Sequence, residues 1–279
     1  MIDTVPLTGR ILSLLLCHQV ATTDHLLELL DFGGERRQLE DRLDVLHTQD
    51  LTARHDGGWH LTDAGVAVAC AQPENLGCRP DRPPRGRTAL ALTGLGLAFR
   101  QQHRNDFPGA PFVWETQVVH RFRDRDGSSA TLQVDARLRT CHRAPAGLLA
   151  RDGLVALWPE QVPQDGIAPF LLRAAAFVNG GPAGRRGPGD PWRRWYPRVP
   201  ALLLLTSGRS GRDPLLGLIT SAARRNSEVR LMLRSMPVGV APLGDIARYG
   251  TAAPVWRSPT GVAKQVWMRL PFGNSENAC

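Results

Sequence analysis

Residues 9–65 spell three amphipathic helices in quick succession and then a glycine-centred hairpin, and that order leaves few folds open. Ile11, Leu12, Leu15 and Leu16 have helical spacing over 9–19. Ala21-Thr22-Thr23-Asp24 reads as a helix start, with Thr22 or Thr23 as N-cap and Asp24 in the first turn. That helix runs through Leu26, Leu27, Leu29 and Leu30, and Phe32-Gly33-Gly34 stops it. A third helix is expected over 35–49, with Leu39, Leu43 and Leu46 on one face. Leu51-Thr52-Ala53-Arg54, a His55-Asp56-Gly57-Gly58 turn and Trp59-His60-Leu61-Thr62 form the hairpin. Thr62-Asp63-Ala64-Gly65 opens a further helix.

Three helices followed by a hairpin is the winged-helix order, and the third helix would be the recognition helix. Its outward residues include Arg36, Arg37, Gln38 and Arg42. Arginine suits phosphate or the guanine edge, and glutamine suits adenine. Glu40, Asp41 and Asp44 share the helix and repel phosphate. Two readings therefore stand: a DNA reader, or a winged helix that pairs with itself or with another protein. The wing offers Arg54 and His55 to a minor groove.

The charge is unevenly spread. Residues 1–70 hold 5 basic and 11 acidic residues, whereas 71–279 hold 29 and 15. The total of +8 favours acidic partners such as nucleic acid, with a merely solvated basic surface as the competing account. All basic residues but Lys264 are arginine, which in an Ala-, Gly- and Pro-rich chain also fits a GC-rich coding bias. No apolar run reaches membrane-spanning length and no secretory leader is legible, so a cytoplasmic location without membrane contact is expected. Five cysteines without C-x-x-C spacing point to reduced thiols, with Cys17 expected in the core.

Residues 72–87, rich in Pro, Gly and Arg, read as a linker between a domain at 1–71 and a second at 88–279. Arg79, Arg82, Arg85 and Arg87 would track a phosphate backbone. The run 184–196 interleaves Arg185, Arg186, Arg193 and Arg194 with Trp192, Trp195 and Tyr196. Such interleaving suits stacking on single-stranded or distorted nucleic acid; equally, the aromatic rings would dock onto their own domain.

The second domain reads as a helix over 88–104, strands over 113–122, 130–138 and 153–158, and a helix over 167–178. A buried strand over 200–206, a helix over 214–225 and a strand over 229–234 complete it. The order predicts an α/β core with a mixed sheet, α+β over the whole chain. The Thr206–Gly211 turn lacks a P-loop's Gly-Lys-Ser/Thr end and reads as a plain β–α turn.

The layout resembles the replication-relaxation family of actinobacterial plasmid and mobile-element proteins over nearly the full chain. Leu61-Thr62-Asp63-Ala64-Gly65 is similar to that family's L-T-x-x-G close of the first domain. Trp114-Glu115 resembles its W-x-E strand start, Val134-Asp135-Ala136 its P-D-A, and Leu157-Trp158-Pro159-Glu160 its acidic strand. Pro254 with Val255-Trp256 resembles its C-terminal close. The resemblance implies a second domain of restriction-endonuclease or PD-(D/E)xK type. Asp135, Glu160 and Glu115 would then be the acids able to hold Mg²⁺. Val162 stands two residues after Glu160, where a lysine would complete the motif, and Lys264 lies far away in sequence. A degenerate nuclease fold kept for binding or assembly is therefore expected, with no cofactor, or Mg²⁺ were the site active.

The resulting expectation is a DNA-associated accessory protein of plasmid or mobile-element replication, relaxation or transfer. Its partners would be DNA, a second copy through the winged helix, and a replication or transfer protein. The rivals are a winged-helix transcriptional regulator, a Mg²⁺-dependent nuclease and a protein-assembly adaptor.

Overall fold

The computed structural model describes residues 7–31, 33–75, 86–144, 147–161, 164–180, 190–261 and 263–270. The chain divides into two compact units, Met1–Phe99 with Glu115–Gln117, and Arg100–Trp114 with Val118–Cys279. Among the described residues no helix is long and apolar enough to cross a membrane.

In the first unit α1 (Leu7–His18), α2 (Thr23–Leu30) and α3 (Arg36–Thr48) precede a hairpin of β1 (Thr52–His55) and β2 (Gly58–Leu61), then α4 (Asp63–Cys70). The leucines chosen by spacing form one core with Trp59 and Leu61. Cys17 does not join it: the side chain is exposed, because Ile11, Leu12, Leu15 and Leu16 define an arc of α1 that excludes it. Thr22 caps α2, its hydroxyl accepting the His25 amide at 3.1 Å while His25 Nδ1 accepts the Thr22 amide at 3.5 Å. Asp31, in left-handed backbone, ends that helix.

Asp56 and Gly57 both take positive φ, as a two-residue hairpin turn requires. Ala21 bridges β2 at Trp59 through a reciprocal pair of backbone hydrogen bonds, tying the hairpin to the start of α2. The Leu-Thr-x-x-Gly spelling has a local cause. Thr62 caps α4 by accepting the Gly65 amide at 3.0 Å. A Cβ on Gly65 would lie 1.9 Å from the Leu51 carbonyl oxygen, so only glycine fits.

The boundary between units does not fall in the Pro/Arg-rich stretch. It falls inside α5 (Gly86–Asp106), which begins two residues within that stretch and which its sequence position alone assigns to the second domain. Thr93 on α5 donates to the Val20 carbonyl at 2.7 Å, and Leu92 and Leu95 are buried, so the first half of this helix belongs with the winged-helix-like elements. A helix that is apolar on a face along its first three turns must cover something, and this one covers its own N-terminal unit.

The second unit is a seven-stranded mixed sheet, β3 (Val113–Arg123), β4 (Ser129–Ala144), β5 (Gly147–Trp158), β6 (Ala201–Thr206), β7 (Val238–Pro242), β8 (Trp256–Arg257) and β9 (Lys264–Gln265), lying side by side in chain order. β4 and β5 are antiparallel, β5, β6 and β7 are parallel, and β8 and β9 return antiparallel. All six residues of β6 are buried, as a central parallel strand demands.

The helices α6 (Gln164–Asn179), α7 (Arg212–Arg225) and α8 (Ser227–Ser235) share one core with Leu154, Leu202, Leu204, Val238 and Val240. The remaining helix, α9 (Leu243–Tyr249), follows β7 directly. Trp267 and Leu270 lie against Gly153 and Gly239, where any larger residue would collide.

The strand expected over 229–234 is instead α8. Val229, Leu231 and Leu233 alternate like a strand, but the buried positions are Val229, Met232 and Leu233, a helical set. Asn226 starts that helix by accepting the Glu228 and Val229 amides, a cap that the strand reading overlooks. β7, α9, β8 and β9 add elements that the spacing does not predict.

Candidate functional site

In open α/β sheets, ligands gather beyond the carboxyl ends of the parallel strands. Here that rim carries Glu160 after β5, the Ser207–Gly211 turn after β6, and Asp245 on α9 after β7. Glu160 is exposed and accepts a hydrogen bond from the Ser210 hydroxyl. Its carboxyl presses on Gly208, where a Cβ would sit 2.3 Å from Glu160 Cδ. Arg209 pairs with the buried Asp245 at 2.6 Å, latching the same turn to α9.

Asp135 lies on β4, just beyond the last registered pair, Ala136↔Val155. Its Oδ2 accepts the Leu157 amide at 2.7 Å, doing for the backbone what a carbonyl does elsewhere in the ladder. The two acids are thus each engaged with their own surroundings. Glu115 is exposed and falls in the other unit. Val162 lies outside the described residues, and Lys264 is exposed on β9. Among the described residues no group of three or more His, Cys, Asp or Glu side chains is placed to hold a metal ion, so this donor set does not fit a Mg²⁺ centre and no step is routed through one.

On α3, Arg36 is held between two carboxylates, Asp24 at 2.6 Å and Glu40 at 2.8 Å. Those hydrogen bonds, Glu40 first and Asp24 second, raise its pKa and leave its charge matched within the unit. Arg37, Gln38 and Arg42 are exposed, in company with exposed Asp41 and Asp44. Arg54 lies over the Trp59 ring at 4.5 Å. The face offered by α3 is close to neutral, and phosphate attraction there is weak.

Arg82, Arg85, Arg185 and Arg186 lie outside the described residues, as does Arg79; Arg87 is in the first turn of α5. For the Trp/Arg segment the docked alternative prevails. Trp192 and Tyr196 are buried in the helix–sheet core and Trp195 packs against it, so these rings are closed to bases. Arg193 and Arg194 remain exposed, lying flat on Trp192 and Trp195 at 4.6 and 5.3 Å, with Arg193 also 3.3 Å from Asp190.

Beneath this segment lies a polar cluster that spacing does not single out. Asp152, on β5 and 4% exposed, accepts both Nε and an Nη of Arg139 at 2.8 and 3.1 Å, with Arg137 at 3.8 Å. Arg137 also lies over the Tyr196 ring at 4.9 Å. His120 shares a hydrogen bond of 3.0 Å with the Tyr196 hydroxyl and stacks on Phe177. Burial, and then the neighbouring Arg137 charge, push the His120 pKa down to about 4.

The histidine is therefore neutral at ordinary pH and sealed from solvent, a structural group rather than a proton carrier. The sequence signal for the cluster is the Arg137-x-Arg139 alternation in an apolar strand, which becomes meaningful only once the register brings Asp152 opposite Arg139. No family model matches this chain, and neither a curated protein nor a solved structure does.

Proposed function

We propose that this chain is a DNA-associated accessory protein that works by binding and assembly, with its second unit supplying the affinity. One observation carries this reading. The charge split coincides with the structural division: the first unit holds 9 basic and 14 acidic residues, the second 25 and 12. A surplus of +13 on a compact unit attracts a polyanion, and the exposed Arg121, Arg123, Arg193, Arg194 and Arg198 stand on or beside its sheet. The resemblance to the replication-relaxation family adds the setting: plasmid or mobile-element replication, relaxation or transfer.

In this reading the first unit is a winged helix, supported by three helices, a hairpin and the Ala21–Trp59 bridge. Its neutralised third helix favours pairing with a second copy, or with a replication or transfer protein, over reading DNA. The second unit is a degenerate PD-(D/E)xK-like domain, for which the mixed sheet and the engaged Asp135 and Glu160 speak.

A DNA titration of the full-length protein across several salt concentrations, with Mg²⁺ added to follow cutting, tests this. Arg193→Ala with Arg194→Ala should weaken binding on every sequence and lower the salt slope by about one for each phosphate no longer neutralised. Arg37→Ala with Arg42→Ala should change little. The opposite pattern, with altered sequence preference, makes the chain a winged-helix regulator. Cutting that Asp135→Ala abolishes makes it a nuclease. No binding at physiological salt makes it a protein-assembly adaptor.

A further inference from the structure

The sheet has two true edges, and both are blunted. β3 carries the exposed Arg121 and Arg123, and its ribbon turns at Gln117, which takes a positive φ. β9 is two residues long and bears Lys264. Charge, shortness and a break in the ribbon are the usual guards against stray strand pairing.

A third edge lacks such guards. β5 begins at Gly147, but its ladder with β6 begins only at Gly153↔Ala201. The overhang Gly147–Asp152 is paired on one side to β4, out to Ala144↔Gly147, and no strand flanks its other side among the described residues. Its first four residues, Gly147-Leu148-Leu149-Ala150, contain no charge and no proline, and Leu148 is 55% exposed. A row of unpaired amides and carbonyls beside exposed apolar side chains is what an added strand completes.

The surrounding charge selects the partner. Arg139, Arg143 and Arg151 lie along the same hairpin, while its acid, Asp152, is already matched by Arg139 and Arg137. A second copy would bring the same arginines against these. We infer that the outer edge of β5, Gly147–Ala150, is a strand-addition site for an extended acidic peptide segment of another protein. This stands apart from the DNA-binding reading and does not need it.

The test uses the full chain and a short fluorescein-labelled peptide of alternating valine and glutamate, followed by fluorescence anisotropy. Two analogues, N-methylated at one or the other set of alternate residues, keep the charge but each block one hydrogen-bonding edge. One analogue should bind about tenfold or more weaker than the parent, because strand addition uses a single edge of the peptide. Leu148→Asp should weaken the parent peptide by a similar factor and Leu148→Lys should not, with unchanged thermal midpoints showing that both variants fold.

Equal binding of both analogues and the parent overturns the proposal, since charge alone then explains the association. Absence of peptide binding overturns it too. Complete competition by a single-stranded oligonucleotide, with both Leu148 variants unaffected, assigns the surface to nucleic acid instead. A dimer in light scattering that Leu148→Asp converts to monomer assigns the edge to a second copy.

Discussion

The two units handle arginine in opposite ways. In the first, Arg36 sits on the surface between Asp24 and Glu40, and the remaining arginines of α3 stand among exposed acids. In the second, Arg137 and Arg139 close over one buried carboxylate, Asp152, while many other arginines face solvent without an acid to match each of them. Charge in the first unit is balanced locally on the outside. In the second it is locked inside at one point and left in surplus elsewhere. The same residue type therefore supports different properties: solubility and pairing in one unit, core specification and polyanion attraction in the other.

The largest expected effect tests the locked cluster. Asp152→Ala strands two guanidinium groups and should cost on the order of 3–5 kcal/mol, read as a lower urea midpoint. An unchanged midpoint would mean that both arginines reach water, and the inside-outside contrast would fail.

The next effect is a pH dependence. His120 has a folded pKa of about 4, below its unfolded value near 6.5, so its neutral form is the one that folding favours. Its stabilising share is fully present above the unfolded value and is lost as pH falls toward 4. That loss is on the order of 3 kcal/mol. Urea unfolding at pH 7, 5.5 and 4 should show it, and His120→Gln should flatten the curve. Parallel curves for the two proteins would place the histidine in contact with water.

In the first unit the sharpest local effect is at a cap. Thr62→Ala removes the acceptor for the Gly65 amide and should cost about 1 kcal/mol in thermal or urea unfolding. The smallest effect is expected at Arg36. Arg36→Ala breaks an exposed double ion pair and should shift stability by no more than about 0.5–1 kcal/mol. It should also leave the salt slope of DNA binding unchanged. A lowered slope would show that Arg36 leaves its carboxylates for phosphate, and would erase the contrast between units.

Much of the first unit is legible in the sequence because its signals are local. Leu39, Leu43 and Leu46 recur on one helical face, Thr22 and Thr62 precede their helices, and Asp56-Gly57 asks for a tight turn. The strands β3 to β6 are legible from apolar runs between turn residues. α8 is not, since Val229, Leu231 and Leu233 satisfy alternation and Leu231 proves to be the exposed one, at 41%. α5 is legible as a helix but not as part of the first unit, because a helix pattern says which face is apolar and not what that face will meet.

The candidate site is legible only in part. Asp135 and Glu160 stand out in the sequence, but each is engaged with a different part of the sheet's surroundings, the Leu157 amide for one and the Ser210 hydroxyl for the other. Trp192 and Tyr196 are open to either reading, and burial decides between stacking and docking.

By itself the amino-acid sequence determined the order of most elements, the mixed α/β character of the second unit and the uneven distribution of charge, since these follow from neighbouring residues and simple counts. Tertiary structure alone decided which charges neutralise one another, where the units divide, and which stretch of β5 lacks a neighbour. Those outcomes depend on strand register and helix docking between residues far apart in the chain, and short-range periodicity holds no record of them.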